Sequence, residues 1–235
     1  MNIGIFGCSF TSGLKREGGY NWVNFYAKKY PQHTFYNLAY PGSSLAFQIF
    51  LMKELKKRVQ IDKVIFQITT PFRFTYFNDY KNFDILNLET SDNVKFISLE
   101  YNDNIDAIHP GLLYPSIWQN SIAQKKELRI RKFAEDYVSR ASRSSEVETV
   151  EYSVLTQWLA PQVDFIFFHR EPSRFIEERT GQKRKPIPEV DNIICLEKEI
   201  NSGKFIDFAI DNQFHFSEEG ARWEADWVDS KFKLD

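Results

Sequence analysis

At 235 residues, with a formal net charge of −2 and a pI near 6.1, the chain lacks the global basic field that draws proteins to nucleic acid or anionic membranes. The length suits one large domain able to bury roughly 70 to 75% of its unfolded surface, so neither disulfides nor a metal are needed to complete a core. Its 22 Phe, 11 Tyr and 5 Trp exceed the usual aromatic share, while its 2 cysteines form no CxxC pair and read as buried thiols of a reducing compartment.

The run Asn2 to Gly7 (NIGIFG) predicts a first strand, and Trp22, Val23, Phe25, Tyr26 and Tyr30 recur at near-helical spacing over Tyr20 to Tyr30. Thr34 to Gly42 (TFYNLAYPG) predicts a second strand closed by Pro-Gly. Ser43 or Ser44 then caps a helix carrying Leu45, Phe47, Ile49, Phe50, Met52, Leu55 and Val59. Asp62 to Thr69 (DKVIFQIT) is the third strand. Strands of nearly continuous apolar character, alternating with helices, indicate an α/β protein whose parallel sheet is covered on both faces.

Residues 71 to about 145 break this rhythm and read as an aromatic-rich, lid-like insertion within a single domain spanning 1–235. It contains FRFTYFNDYKNFD, a hairpin signal in DILNLETSDNVKFISLEYND and a helical run near Ile117 to Arg140. The rings of Phe72, Phe74, Tyr76, Phe77, Tyr80 and Phe83 suit either a satellite core or a platform for a sugar or acyl group. Alternation then resumes. Val147, Val150, Val154, Leu155 and Trp158 predict an amphipathic helix, Val163 to His169 a strand, Asn192 to Leu196 a short strand, and Ser217 to about Lys231 a last helix. No window approaches the roughly 18 apolar residues of a membrane span, and no glycosylation sequon occurs, so the expected compartment is the cytoplasm, with no membrane or nucleic-acid partner.

In an open parallel sheet, ligands bind beyond the carboxyl ends of the strands. Four polar segments fall there: Gly7 to Thr11, Pro41 to Ser44, Thr69 to Arg73, and Asp211 to Gly220 (DNQFHFSEEG). A serine becomes a nucleophile when a base lies within hydrogen-bond reach and N–H donors face the developing oxyanion. Ser9 and His215 could supply the first condition, and the backbone N–H groups of Ser9 and Gly42 the second. Gly7 suits a sharp strand-to-loop turn. Cys8 sits one register off and reads as core-facing. His169 falls at the same sheet edge but, next to Arg170 and Glu171, reads as a surface histidine. Nothing matches a dinucleotide or phosphate-loop pattern, and no His, Asp or Glu cluster has metal-ligand spacing, so no cofactor or metal is expected.

Taken in order, GCSFTSG, NLAYPGSS, the turn after the third strand and DNQFHFSEEG resemble the four sequence blocks of the SGNH, or GDSL-type, hydrolase family. The resemblance spans the chain apart from the insertion. It implies a three-layer α/β/α sandwich around a flavodoxin-like, five-stranded parallel sheet, and an esterase working through an acyl-enzyme. It makes Ser9 the nucleophile, Gly42 an oxyanion-hole residue together with the Ser9 N–H, and His215 the base. The family's acid position holds Asn212, with Asp211 one residue further back. Asp211 is the orienting acid expected here, because a carboxylate stabilises an imidazolium better than an amide does. The family's third block carries an asparagine that donates to the oxyanion, whereas this chain has Thr69-Thr70-Pro71, and proline has no N–H to offer. Thr70 or Arg73 could stand in for that donor, and Thr11 and Asn212 join them as candidate substrate contacts; Arg73 is also readable as a solvated loop charge. The implied reaction is deacylation of a small polar ester, such as an O-acetylated carbohydrate. The alternatives are an O-acyltransferase using the same site and a non-catalytic binding module.

Overall fold

A computed structural model describes residues 1–12, 20–41, 43–68, 73–77, 88–97, 108–112, 153–170, 193–200, 202–210 and 215–235, with 73–77, 108–112 and 202 described as backbone alone. Strand β1 (Asn2–Phe6) leads into a four-residue helix, α1 (Ser9–Ser12), and then α2 (Trp22–Lys28). Next come β2 (Thr34–Asn37), α3 (Leu45–Arg58) and β3 (Lys63–Ile68). Strands β4 (Arg73–Phe77), β5 (Leu88–Ser91), β6 (Val94–Ile97) and β7 (Ile108–Leu112) follow. Helical residues 153–159 (α4) precede β8 (Phe165–Phe168), β9 (Ile194–Cys195), α5 (Leu196–Glu199), α6 (Ser202–Phe208) and α7 (Glu218–Lys231).

The protein is α/β, with a mostly parallel sheet in the order β5-β6-β2-β1-β3-β8-β9. Seven strands replace the expected five. The additional pair is the hairpin β5–β6, whose second strand runs parallel to β2 and so lengthens the sheet in its own plane. Its turn places Asp92 at φ 53°, a left-handed conformation that aspartate tolerates better than most residues. The Asn93 amide donates to the carbonyls of Ala27, Tyr30 and His33 at 3.0 to 3.1 Å, docking the turn on the end of α2. Strands β4 and β7 form a separate antiparallel pair. The helical run near Ile117 to Arg140 and most of the aromatic segment lie outside the described residues.

Period-two alternation divides the strand residues between two cores. Ile3, Ile5, Phe35, Ile65, Phe165 and Phe167 pack beneath α2 and α7, whereas Phe6, Tyr36, Val64, Phe66, Ile68 and Ile166 pack beneath α3. Phe66 is wholly buried, and its truncation to alanine would cost about 3 to 5 kcal/mol by the usual behaviour of core aromatics.

Capping fixes where the long helices start. Ser44 Oγ accepts from Phe47 N at 3.2 Å and Ser217 Oγ from Gly220 N at 3.3 Å. Acidic residues Glu218 and Glu219 open α7, and Lys56, Lys57 and Arg58 close α3, each complementing the local helix dipole. Helix α4 departs from the expected face. Ser153, Thr156 and Leu159 are buried while Val154 is 57% and Trp158 39% exposed. The contacts explain the phase: Leu155 and Leu159 meet the core under α3, and the Trp158 ring receives Lys53 Nζ at 4.7 Å.

Candidate functional site

The carboxyl edge of the sheet begins at Gly7. A Cβ built there would lie 2.6 Å from Thr11 Oγ1 and 2.9 Å from Gln67 Oε1, and the residue is not in the left-handed region. Close packing, not backbone freedom, is therefore what excludes a side chain, correcting the turn-based expectation.

Beyond Gly7 the chain is held by buried amides. Gln67, near the end of β3, accepts from Cys8 N at 3.2 Å, Cys8 Sγ at 3.4 Å and Thr11 Oγ1 at 3.1 Å. Its own amide donates to the Ile68 carbonyl at 2.8 Å. Thr11 Oγ1 also accepts from Trp22 Nε1 at 3.3 Å, and the Thr11 carbonyl accepts from Asn37 Nδ2 at 3.1 Å. From the second strand's loop, Ser43 Oγ donates to the Gly7 carbonyl at 3.1 Å, and Gln48 Nε2 donates to Ser43 Oγ at 2.8 Å. The loop between β1 and α1 is thus fixed by β2, β3, α2 and α3 together, and Ser9 begins α1 with 8% of its surface exposed. Cys8 is fully buried, in keeping with a core-facing thiol. Thr11 is fully buried too, with its hydroxyl engaged as donor and acceptor inside this network.

His215 reaches the same region from the other end of the chain. Ala209 and Phe216 form an isolated antiparallel bridge, Ile210 N donates to the His215 carbonyl at 2.8 Å and Ser217 N to the Phe208 carbonyl at 2.7 Å. These contacts set His215 just before the α7 cap, with its ring 5.1 Å from that of Phe10, the residue after Ser9. His215 is 4% exposed. Gly42, Thr70, Asp211 and Asn212, like Pro71, lie outside the described residues, and Arg73 is placed as backbone only, paired with Leu112 in β4–β7.

His169 reverses the expectation of a surface histidine: it is 1% exposed, with Nδ1 3.1 Å from Glu224 Oε1. Burial pushes the Glu224 carboxyl up, against the opposing pull of the His169 charge and hydrogen bond. Adjacent Arg170 is also buried, with Nε 3.8 Å from Glu197 Oε1. Sequence reasoning missed Glu224 and Gln67, although each carries a signal. Glu224 lies on the stripe Ala221, Ala225 and Val228 that α7 buries, and Gln67 is the one amide in the apolar strand KVIFQI.

A cavity of about 480 Å³ opens beside Ser12, the last residue of α1. Its walls combine the amides of Asn21, Asn24 and Asn37 and the charge of Arg222 with the apolar side chains of Phe25, Phe96 and Ile97. It runs from the carboxyl ends of β2 and β6, at Asn37, Ala39 and Ile97, along β6 to Ser91 and Lys28. A second cavity, of about 690 Å³, lies at the opposite edge, near Pro161, Asp164 and Ile194, and neither cavity is lined by Ser9 or His215. Among the described residues, no group of three or more His, Cys, Asp or Glu side chains is placed to hold a metal ion, and no helix is long and apolar enough to cross a membrane. Comparison with protein-family models, with curated proteins and with solved structures finds no match for the chain.

Proposed function

We propose that the chain is a serine hydrolase of the SGNH type, cleaving an ester of a small polar alcohol in the cytoplasm. The observation that carries this reading is the meeting of the Ser9 loop and the His215 loop: Phe10, which follows Ser9, lies 5.1 Å ring to ring from His215 at the carboxyl edge of a parallel sheet. The strand order β2-β1-β3-β8-β9 within the sheet matches the flavodoxin-like arrangement that the family resemblance implies. The compartment is read from the 2 cysteines, which have no CxxC spacing, although Cys195 is half-buried and not the buried thiol expected.

In the proposed reaction, Ser9 Oγ attacks the acyl carbon while His215 takes the hydroxyl proton, with Asp211 orienting the imidazole. The N–H groups of Ser9 and Gly42 hold the oxyanion. His215 returns the proton to the leaving alkoxide, and a water, deprotonated by the same imidazole, releases the acid and regenerates Ser9.

The purified chain is expected to hydrolyse p-nitrophenyl acetate and to be labelled at Ser9 by a fluorophosphonate, with both signals lost in Ser9→Ala. Equal rates in the two proteins would refute the assignment. A second reading, a binding module on the same fold, is favoured by one observation, Pro71 where the family has its oxyanion asparagine. A folded wild-type protein that resists the fluorophosphonate would select it.

A further inference from the structure

One buried imidazole lies between the loops that carry Ser9 and His215. His169 follows the end of β8, and its Nδ1 is 3.1 Å from Oε1 of Glu224 on the inner face of α7, with each residue 1% exposed. Phe10, the residue after Ser9, stacks on the imidazole with 4.1 Å between centroids and 9° between planes. Phe216, the residue after His215, closes on the same imidazole at 4.6 Å and 55°, and Phe205 from α6 at 5.6 Å. The chain neighbours of the two candidate catalytic residues therefore grip one ring.

A polar pair in such a cage is an expensive way to fill space. Apolar residues of similar volume often replace buried ion pairs without loss of stability, so packing alone does not call for histidine and glutamate here. What the pair adds is direction. A hydrogen bond to one ring nitrogen fixes the orientation of an imidazole, and rings stacked or tilted on it are held in position and plane by its faces. Glu224 is well placed for this, because it belongs to the helix whose cap, Ser217, lies two residues beyond His215. Gly220 lets the same helix approach closely: a Cβ there would lie 2.8 Å from Phe208 Cβ and 2.9 Å from Phe216 Cβ.

We infer that His169 and Glu224 are a positioning pair, setting the register of the Ser9 loop against the His215 loop through Phe10 and Phe216. The consequence for rate rests on the hydrolase reading; the consequence for the placement of His215 does not.

The test compares Glu224→Ala and Glu224→Gln with wild type in the full chain, well below each melting midpoint. Two quantities are read: the rate of fluorophosphonate labelling at Ser9, and the imidazole NMR signals of His215, assigned among the four histidines by substitution. Glu224→Ala is expected to label roughly 10- to 100-fold more slowly, the scale of a small misplacement of reacting groups, and to displace the His215 signals. Glu224→Gln still accepts a hydrogen bond from Nδ1–H and is expected to stay close to wild type on both. A purely structural role would lower the melting temperature while leaving the labelling rate of folded protein and the His215 signals unchanged, and that result overturns the inference. If Glu224→Ala does not fold, His169→Phe with Glu224→Leu fills the same space and is read in the same way. Should wild type itself resist the probe, the hydrolase reading fails, and the His215 signals alone decide: displaced, they support the positioning pair; unmoved, they refute it.

Discussion

Replacing Gln67 by leucine should dismantle the network that holds the Ser9 loop. In the native protein the Gln67 carbonyl oxygen serves the Cys8 N–H at 3.2 Å and the Thr11 hydroxyl at 3.1 Å, in a region shut off from water. A buried donor left without an acceptor costs about 1 to 3 kcal/mol. The Cys8 amide is fixed and bears the full cost. The Thr11 hydroxyl can rotate and bears less, and the thiol, a weak donor, adds little. The Ile68 carbonyl also loses a donor at 2.8 Å. Against this stands the gain from burying an apolar side chain, about 1 kcal/mol on the same scale as other core methylenes. The net loss comes to about 2 to 4 kcal/mol, or a fall of about 4 to 16 °C in melting midpoint for a domain of this size. Urea unfolding followed by far-ultraviolet circular dichroism measures it directly. A variant with wild-type stability would refute the claim that Gln67 organises the loop.

Other perturbations separate the remaining contributions. Gly7→Ala places a methyl group against Thr11 and Gln67 and should cost about 1 to 3 kcal/mol by overpacking, read from thermal melts; an unchanged midpoint would mean the loop moves aside at no cost. Asp229 is pushed up by partial burial, but hydrogen bonds from Tyr30 and Lys29, with the charges of Lys29 and Lys233, hold it below its ordinary value of 3.8. Its folded value being depressed, its contribution is complete above that ordinary value and is lost as the pH falls through the folded one. Asp229→Asn should therefore cost about 1 kcal/mol at pH 7, with the difference from wild type closing at still more acid pH. A constant difference across that range would show that Asp229 acts through packing.

Local chemistry made much of the fold readable from the sequence. Ser44 and Ser217 cap helices because a short hydroxyl side chain meets the first free N–H groups, a signal written within three residues. Strands β1, β3 and β8 were readable because both their faces are buried and their runs are nearly continuous in apolar residues. What escaped depends on distant partners. His169 sits beside charged neighbours in sequence, yet its burial is decided by Glu224, 55 residues later. Helix α4 presents Val154 and Trp158 outward because Leu155 and Leu159 meet the sheet core, a phase that hydrophobicity alone leaves ambiguous. The parallel pairing of β6 with β2 likewise arises from contacts across the sheet edge. For the candidate site, the sequence pointed to Ser9 and His215; Gln67 and Glu224 are marked as polar residues on apolar faces, but what they partner emerges only from spatial convergence.

The Asn93 amide joins parts of the chain that are far apart in sequence. The carbonyls at the end of α2 and in the turn before β2 receive its N–H groups across sequence separations of 60 to 66 residues. Two of these carbonyls already have backbone partners, since Tyr30 N donates to Ala27 O at 3.0 Å and His33 N to Tyr30 O at 3.1 Å. The first strand-helix-strand unit therefore closes its own helix end, and Asn93 adds a second donor to those carbonyls and one to that of His33. A single side chain of the late hairpin thus ties the edge of the sheet to the first crossover.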